Sequence, residues 1–205
     1  MPEEDDPYPV KPRIKQDGQE SFNGSIDRET SENQILVLII PEKNYMEKVV
    51  SVVKDLNKLS GPICYVSLNR PYKSLKTIFE KNGIDSKNMH FIDGITRTAM
   101  TPEPIEQCEY ISSPGALTEL SVAISQLMDS GKVVNLVFDS LSTLLVYEPD
   151  TTIAKFVHFL MAKVRVAGCN AIFTCLKQDA DSILVKDINM FADKVINLEK
   201  WNTEA

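Results

Sequence analysis

Glycine is scarce in this chain: there are 8 among 205 residues, and none lies between Gly24 and Gly61. No GxGxxG follows a strand-like run, and the sequence contains no GxSxG. The first absence excludes the usual dinucleotide-binding fingerprint, and the second excludes the nucleophile elbow of serine hydrolases. Neither dehydrogenase nor serine-hydrolase chemistry is predicted.

Histidine and cysteine are also few, with two and four residues. No two cysteines form a CxxC pair, and neither His90 nor His158 stands at metal-ligand spacing from a cysteine. The sequence therefore predicts no zinc site. Free buried thiols are expected, as in a reducing compartment. The cysteines are Cys64, Cys108, Cys169 and Cys175.

Long apolar runs and basic clusters are absent as well. No stretch approaches the ~20 apolar residues that span a bilayer. The net charge is −7 and the sequence has no basic stripe, so a nucleic-acid partner is not expected. Residues 1–6 are acidic and begin no apolar signal segment, so a cytoplasmic protein without membrane contact is expected.

Residues 1–32 differ in composition from the rest. They hold nine acidic and four basic side chains and four prolines, with few large apolar residues. Such a segment buries too little surface to offset its ordering entropy, so we predict a disordered tail before a single domain at 33–205. The tail could be a solvating leader or a docking segment that orders on a partner.

From residue 33 onward, apolar runs typical of strands alternate with helical periodicity, which predicts an α/β fold with a mostly parallel sheet. Residues 94–114 are predicted to be irregular, followed by a helix with Pro114 in its first turn. The predicted strands are 34–40, 63–68, 89–92, 133–138, 171–176 and 194–198.

The strand at 133–138 runs directly into Asp139 and Ser140, which is the Walker B form. A carboxylate at such a strand end can hold the hydration shell of Mg²⁺. Its usual partner is GxxxxGK[ST] after the first strand, where backbone N–H groups cradle phosphates. The first strand is followed instead by PEKNYMEK at 41–48. Lys43 and Lys48 have no glycine before them and no Ser or Thr after them.

Several segments in order resemble the RecA superfamily and, more narrowly, archaeal KaiC-like ATPase domains. They cover roughly residues 33–200 and include YVSLNRP at 65–71, YISSPGALTELS at 110–121, VVNLVFDSLSTLLVYEP at 133–149 and FADKVINLEK at 191–200. The resemblance implies a RecA-like sheet in which the strand 171–176 lies between the phosphate-loop strand and the Asp139 strand. It also implies hexameric rings with nucleotide between subunits.

The chain departs from that family where catalysis would occur. The family's water-activating carboxylate follows the second strand, where this chain has Asn69, which cannot serve as a general base. With the phosphate loop also replaced, Asp139 is predicted to be structural, with Mg²⁺ binding as the alternative.

Other candidate residues have two interpretations each. Arg70 and Arg97 could be arginine fingers but are expected to be surface residues. His158 is expected at a helix boundary or interface. Lys177 and Asp179 stand where relatives sense the γ-phosphate but are predicted to line a loop, and Trp201 is predicted to pack on the last strand or a partner.

These patterns predict a catalytically inactive KaiC-like domain that acts in signalling or assembly, with the tail and residues 94–114 as contact elements. Its partner would be itself or an active KaiC-like relative. No catalytic residue, metal or cofactor is predicted; Asp139 and Ser140 would be a vestigial nucleotide site. The alternative is an ATP-binding switch or weak ATPase with a non-standard phosphate loop. A DNA-recombination role is opposed by the charge balance.

Overall fold

A computed structural model of the chain describes residues 25–59, 61–199 and 201. Within these residues, seven parallel strands form one sheet in the order β4-β3-β2-β5-β6-β1-β7. The strands are β1 (Ile35–Ile40), β2 (Ile63–Ser67), β3 (Met89–Asp93), β4 (Cys108–Tyr110), β5 (Asn135–Asp139), β6 (Asn170–Leu176) and β7 (Lys194–Asn197). The helices are α1 (Ile26–Glu32), α2 (Tyr45–Leu56), α3 (Tyr72–Lys81), α4 (Thr96–Ala99), α5 (Leu117–Asp129), α6 (Leu141–Tyr147), α7 (Asp150–Ala167) and α8 (Ile183–Asn189).

The strand order confirms the predicted arrangement, because β6 lies between β1 and β5. Strand β1 is apolar at every position, and each of its residues is buried. Such a strand must be covered on both faces, which is the environment of a parallel sheet between two helix layers.

The two layers have separate apolar cores. Alternate residues of β1 point to opposite faces: Ile35, Val37 and Ile39 pack with α5, α6, α7 and α8. Leu36, Leu38 and Ile40 pack with α1, α2 and α3. Because successive side chains of a strand point to opposite faces of the sheet, alternate residues of β1 contact different helix layers.

Helix α1 corrects the predicted tail boundary, since residues 26–32 were expected to be disordered. Ile26 is fully buried in the core on the α2 face. The Glu29 carboxylate accepts hydrogen bonds from the Lys194 ammonium at 2.8 and 2.9 Å. These tertiary contacts stabilise a helix whose local sequence is too short to form alone. The remainder of the predicted tail, residues 1–24, lies outside the described residues.

The segment 94–114 is more regular than predicted, because it contains α4 and the edge strand β4. The Asp93 carboxylate accepts hydrogen bonds from the backbone N–H groups of Ile95 and Thr96 at 2.7 and 2.9 Å, which stabilises the turn into α4. Pro114 precedes the next helix rather than opening it, since α5 begins at Leu117.

All four cysteines are free and buried, as predicted. Burial raises the pKa of Cys175 to about 11, so its thiol is protonated at neutral pH. In the described part of the chain no helix is both long and apolar enough to cross a membrane.

Candidate functional site

Asp139 ends β5 and is fully buried. Its Oδ1 accepts hydrogen bonds from the Tyr45 hydroxyl at 2.5 Å and from Nδ2 of Asn69 at 3.1 Å. Its Oδ2 accepts from the Tyr65 hydroxyl at 2.5 Å. Protein donors therefore occupy both oxygens of the residue that the resemblance places at the Walker B position.

The sheet register brings these groups together. Ser67 pairs with Asp139 and Tyr65 with Val137, so the side chains at 65 and 139 share one face of the sheet. Thr174 of the neighbouring strand β6 lies on the same face, with its hydroxyl 3.2 Å from the carbonyl of Phe138. All of them point toward the layer formed by α2 and α3.

Tyr45 reaches this cluster because the connection from β1 to α2 is short. Pro41 has an extended backbone, and a single 3-10 turn, Glu42–Asn44, leads directly into α2. Tyr45 is the first residue of α2, and its hydroxyl also lies 2.7 Å from Oγ1 of Thr174. Its side chain thus covers the carboxyl ends of β5 and β6, where ligands of open α/β sheets bind.

Burial dominates the electrostatics of the cluster. It raises the pKa of Asp139 above its ordinary value, whereas the hydrogen bonds from Tyr45, Tyr65 and Asn69 and the positive charge of Arg70 oppose that rise. Burial and the neighbouring carboxylate raise the pKa of both Tyr45 and Tyr65 well above the usual value. Both phenols therefore remain protonated hydrogen-bond donors at neutral pH.

Magnesium does not fit this arrangement. Mg²⁺ requires near-octahedral oxygen coordination and usually keeps several waters. The Asp139 oxygens already accept hydrogen bonds from three side chains. Lys48 is followed by valine and not by Ser or Thr. Among the described residues, no group of three or more His, Cys, Asp and Glu could hold a metal ion.

Ser140 has a structural role at the start of α6. It is the N-cap residue, and its Oγ accepts a hydrogen bond from the backbone N–H of Thr143 at 3.3 Å. The same Oγ lies 3.0 Å from Oγ1 of Thr143. Its hydroxyl thereby satisfies one of the free N–H groups of the first helical turn.

Neither lysine after β1 has the position of a phosphate-binding lysine. Lys48 is buried, and its ammonium donates to the carbonyl oxygen of Trp201 and lies 5.5 Å from the centre of the Trp201 ring. Lys43 is exposed in the 3-10 turn. Trp201 itself is buried with the residues of β7 that face α2, as predicted.

The turn after β1 is tied to the turn after β6 by Glu42. Its carboxylate accepts a hydrogen bond from the backbone N–H of Gln178 at 2.9 Å. Hydrogen bonds from the backbone N–H groups of Glu42 itself and of Gln178 lower the pKa of Glu42. An acidic side chain therefore stands in the turn where the sequence resemblance would place a phosphate loop. Lys177 pairs with Glu199 at 2.5 Å.

The two arginines have different positions. Arg70 is exposed beside the cluster, and its backbone carbonyl accepts a hydrogen bond from the Ser67 hydroxyl at 2.7 Å. Arg97 donates to the carbonyl of Tyr110 at 3.1 Å and lies 3.7 Å from the Glu119 carboxylate.

Asp179 ends the 3-10 turn after β6 and lines a shallow cleft of about 300 Å³ with Ser142 and Leu176.

His158 lies on α7, remote in sequence from the cluster. Its ring packs on Phe191 with centroids 4.0 Å apart. Its Nε2 is buried and has no hydrogen-bond partner among the described residues.

Sequence patterns identified Asp139 and Asn69 but not the side chains that surround them. In the sequence, Tyr45 is only a bulky residue where glycine is expected, and Tyr65 and Thr174 are only members of predicted strands. Nothing in the sequence indicates their contact with Asp139. The available signal was their position: Thr174 lies in the C-terminal half of its predicted strand, Tyr65 lies within the second predicted strand, and Tyr45 follows the first.

Known proteins resemble this chain mainly in fold. The model of DUF7504, described as a family of unknown function, matches residues 64–198, which is more than half of the chain. No curated protein matches the sequence.

Solved structures from the archaeon Pyrococcus horikoshii are similar in fold. A KaiC-like protein is 15% identical over 84% of this chain and 76% of its own, with a TM-score of 0.59. An uncharacterized protein, solved in complex with an unknown peptide, is 17% identical over 84% of this chain and 81% of its own, with a TM-score of 0.60. The fold is thus the RecA-like fold of KaiC-like proteins.

Proposed function

We propose that this chain, which belongs to the DUF7504 family of unknown function, is a KaiC-like domain that does not hydrolyse ATP and works by binding other protein molecules. The partner is a second copy of the chain or an active KaiC-like relative. A fold does not determine a function, so the support for both statements comes from particular side chains.

The main support for the absence of ATP hydrolysis is the contact between Tyr45 and Asp139. The first turn of α2 puts the hydroxyl of the partly buried Tyr45 2.5 Å from the carboxylate that would face a hydrated metal. A metal ion at this carboxylate would have to displace Tyr45, and Thr174 would lose its 2.7 Å contact with the same hydroxyl. The protein itself thus fills the position that a metal–nucleotide complex needs.

The polar groups around the cluster support the same conclusion. Asn69 is a hydrogen-bond donor to Asp139, so it stabilises that carboxylate and cannot activate water. Lys48 is held by Trp201, and Glu42 adds negative charge to the turn after β1. No phosphate-binding cation remains in that turn except the exposed Lys43.

The alternative, an ATP-dependent switch, requires the first turn of α2 to move. Val49 and Val52 in the following turn are almost completely buried against the sheet, which opposes such a shift. Nucleotide binding would then have to supply the cost of unpacking α2.

The binding role is supported by the distribution of exposed apolar side chains. The outer faces of α2 and α3 carry no large hydrophobic residue among the exposed ones, whereas α5, α6, α7 and α8 each carry at least one. A contact surface of this protein would therefore lie on the layer of α5 to α8, where exposed apolar side chains are concentrated. The fold neighbour solved with a peptide is consistent with protein binding by this architecture.

Steady-state ATP hydrolysis by the purified protein tests the inactive state. We expect no turnover above that of Asp139→Asn measured side by side with Mg²⁺ present. Turnover that this substitution abolishes would contradict the proposal, because it would assign Asp139 a catalytic metal.

A further inference from the structure

Strand β4 forms one end of the sheet and, among the described residues, pairs with β3 alone. It belongs to the segment 94–114, which the sequence predicts as a contact element. The free edge of a sheet offers backbone N–H and C=O groups to any extended segment, so proteins either use such an edge for binding or block it. The contacts along β4 show which of the two applies here.

The hydrogen bonds between β3 and the β4 segment show which backbone groups face outward. The Phe91 N–H donates to the carbonyl of Gln107 at 2.7 Å. The Ile111 N–H donates to the carbonyl of Asp93 at 3.1 Å. Residues 107 and 111 therefore face β3. Because the direction of the backbone groups alternates along a strand, those facing away from the sheet belong to residues 108, 110 and 112.

The chain itself covers the first of these outward groups. The Cys108 N–H donates to the carbonyl of Ile105 at 3.0 Å, and the two residues form an antiparallel bridge. A tight turn thus folds back over the start of β4. An added strand could pair with this position only if the turn opened.

An ion pair covers the next outward groups. Arg97 of α4 donates to the carbonyl of Tyr110 at 3.1 Å. Glu119 of α5 accepts hydrogen bonds from the Ser112 N–H at 2.9 Å and from the Ser112 hydroxyl at 2.6 Å. The guanidinium and the carboxylate lie 3.7 Å apart. The bonds from the Ser112 hydroxyl and N–H, together with the charge of Arg97, lower the pKa of Glu119, so the carboxylate is ionised at neutral pH.

The pair has the hydrogen-bonding pattern of one strand residue. In a parallel ladder, a residue donates its N–H to one carbonyl of the neighbouring strand and accepts from the N–H two residues further on. Arg97 supplies the donor for Tyr110, and Glu119 supplies the acceptor for Ser112. We propose that Arg97 and Glu119 take the place of a residue of an eighth strand and close the β4 edge against strand addition by a second copy of the chain.

A second barrier on this edge is Glu109, the middle residue of β4, which is exposed. If two β4 strands paired antiparallel about this residue, the two Glu109 carboxylates would lie opposite each other. Like charges directly opposite destabilise a strand pair, and charged side chains are a common protection of edge strands. The Arg97–Glu119 pair and Glu109 therefore act in the same direction.

A closed β4 edge restricts the proposed protein binding to other surfaces, such as the helix layer of α5 to α8. It also assigns Arg97 a role that the sequence does not show, since the residue reads there as an arginine finger or a plain surface residue. The inference does not depend on whether the chain hydrolyses ATP, which is measured separately.

Sedimentation equilibrium of an edge-open variant, Arg97→Ala/Glu109→Thr/Glu119→Ala, tests the closed edge. One control, Glu109→Thr, keeps the ion pair and has the same net charge as the edge-open variant. The other control adds Arg28→Ala and Glu32→Ala to Glu109→Thr, which removes an exposed ion pair of α1 instead. We expect the edge-open variant to self-associate with a constant roughly tenfold or more above both controls, because its freed backbone groups gain partners in the other copy.

Amide hydrogen exchange locates the new contact. In the edge-open variant, the Tyr110 N–H faces away from β3, so it should exchange more slowly at high protein concentration than at low. Equal self-association of the three variants would overturn the proposal, and so would association that leaves the Tyr110 amide unprotected. Circular dichroism checks the fold; if the edge-open variant is unfolded, Arg97→Ala/Glu109→Thr, which keeps the Glu119 contacts with Ser112, replaces it with the same expected result.

Discussion

The hydroxyl of Tyr45 lies 2.5 Å from Oδ1 of Asp139, so the first residue of α2 closes the end of β5. The same hydroxyl reaches Oγ1 of Thr174 on the adjacent strand. One phenol therefore links a helix to two strands at the edge where RecA-like folds place their ligands.

Tyr45→Phe measures the strength of that link. Losing the hydroxyl leaves Thr174 and one oxygen of Asp139 short of a buried partner, so the free energy of unfolding should fall by about 1–3 kcal/mol. Urea denaturation gives the value. Tyr147→Phe on α6, where the side chain is 49% exposed, should change it by less than about 0.5 kcal/mol. Equal effects of the two variants would show that the Tyr45 hydroxyl does not stabilise the fold.

Asp139 should give the protein a specific pH dependence. Because burial raises its pKa above the ordinary 3.8, the native state binds more protons than the unfolded chain between 3.8 and the raised value. The free energy of unfolding therefore falls as pH rises through this window. Subtracting the profile of Asp139→Asn should isolate that fall. A difference that is flat, or that rises with pH, would mean that the hydrogen bonds outweigh burial.

Asn69→Asp introduces the kind of group that an active relative carries near this position. Nδ2 of Asn69 is 3.1 Å from the Asp139 carboxylate, so a second carboxylate would repel it and remove a donor. We expect a loss of roughly 1–3 kcal/mol in the free energy of unfolding, and no gain of ATP hydrolysis. The control is Asn82→Asp, whose amide donates to a helix-end carbonyl at the exposed end of α3. A stable, ATP-hydrolysing variant would contradict the account.

The fold was predicted correctly for strands that helices cover on both faces of the sheet. Strand β1 reads as a continuous apolar run because helices cover both of its faces, and β6 was placed beside it from the family resemblance. Strand β4 was missed because three residues at a sheet edge, one of them the charged Glu109, leave no apolar pattern.

Helix α1 and the Asp139 cluster were missed for a different reason. The α1 helix depends on contacts with distant residues, such as Glu29 with Lys194, that local composition does not encode. The sequence has no GxxxxGK[ST] motif after β1, but only the three-dimensional structure shows that Tyr45 and Tyr65 meet the carboxylate of Asp139.

The Lys48→Met substitution tests whether Lys48 has a structural role or binds phosphate. Its ammonium is bound by the Trp201 carbonyl and lies over the ring of the chain's single tryptophan. The substitution should lower the free energy of unfolding by about 1–2 kcal/mol and alter the tryptophan emission of the native state. Lys43→Met should do neither. If Lys48→Met instead changed only the affinity for ATP, the lysine would be a nucleotide ligand.

Isothermal titration calorimetry with ATP and Mg²⁺ measures whether the space at Asp139 can admit a nucleotide at all. We expect no saturable heat with the unmodified protein or with Tyr45→Phe, since the α2 turn and Asn69 remain in place in both. A saturable isotherm that Asp139→Asn abolishes would contradict this expectation and would establish the chain as a nucleotide-binding switch.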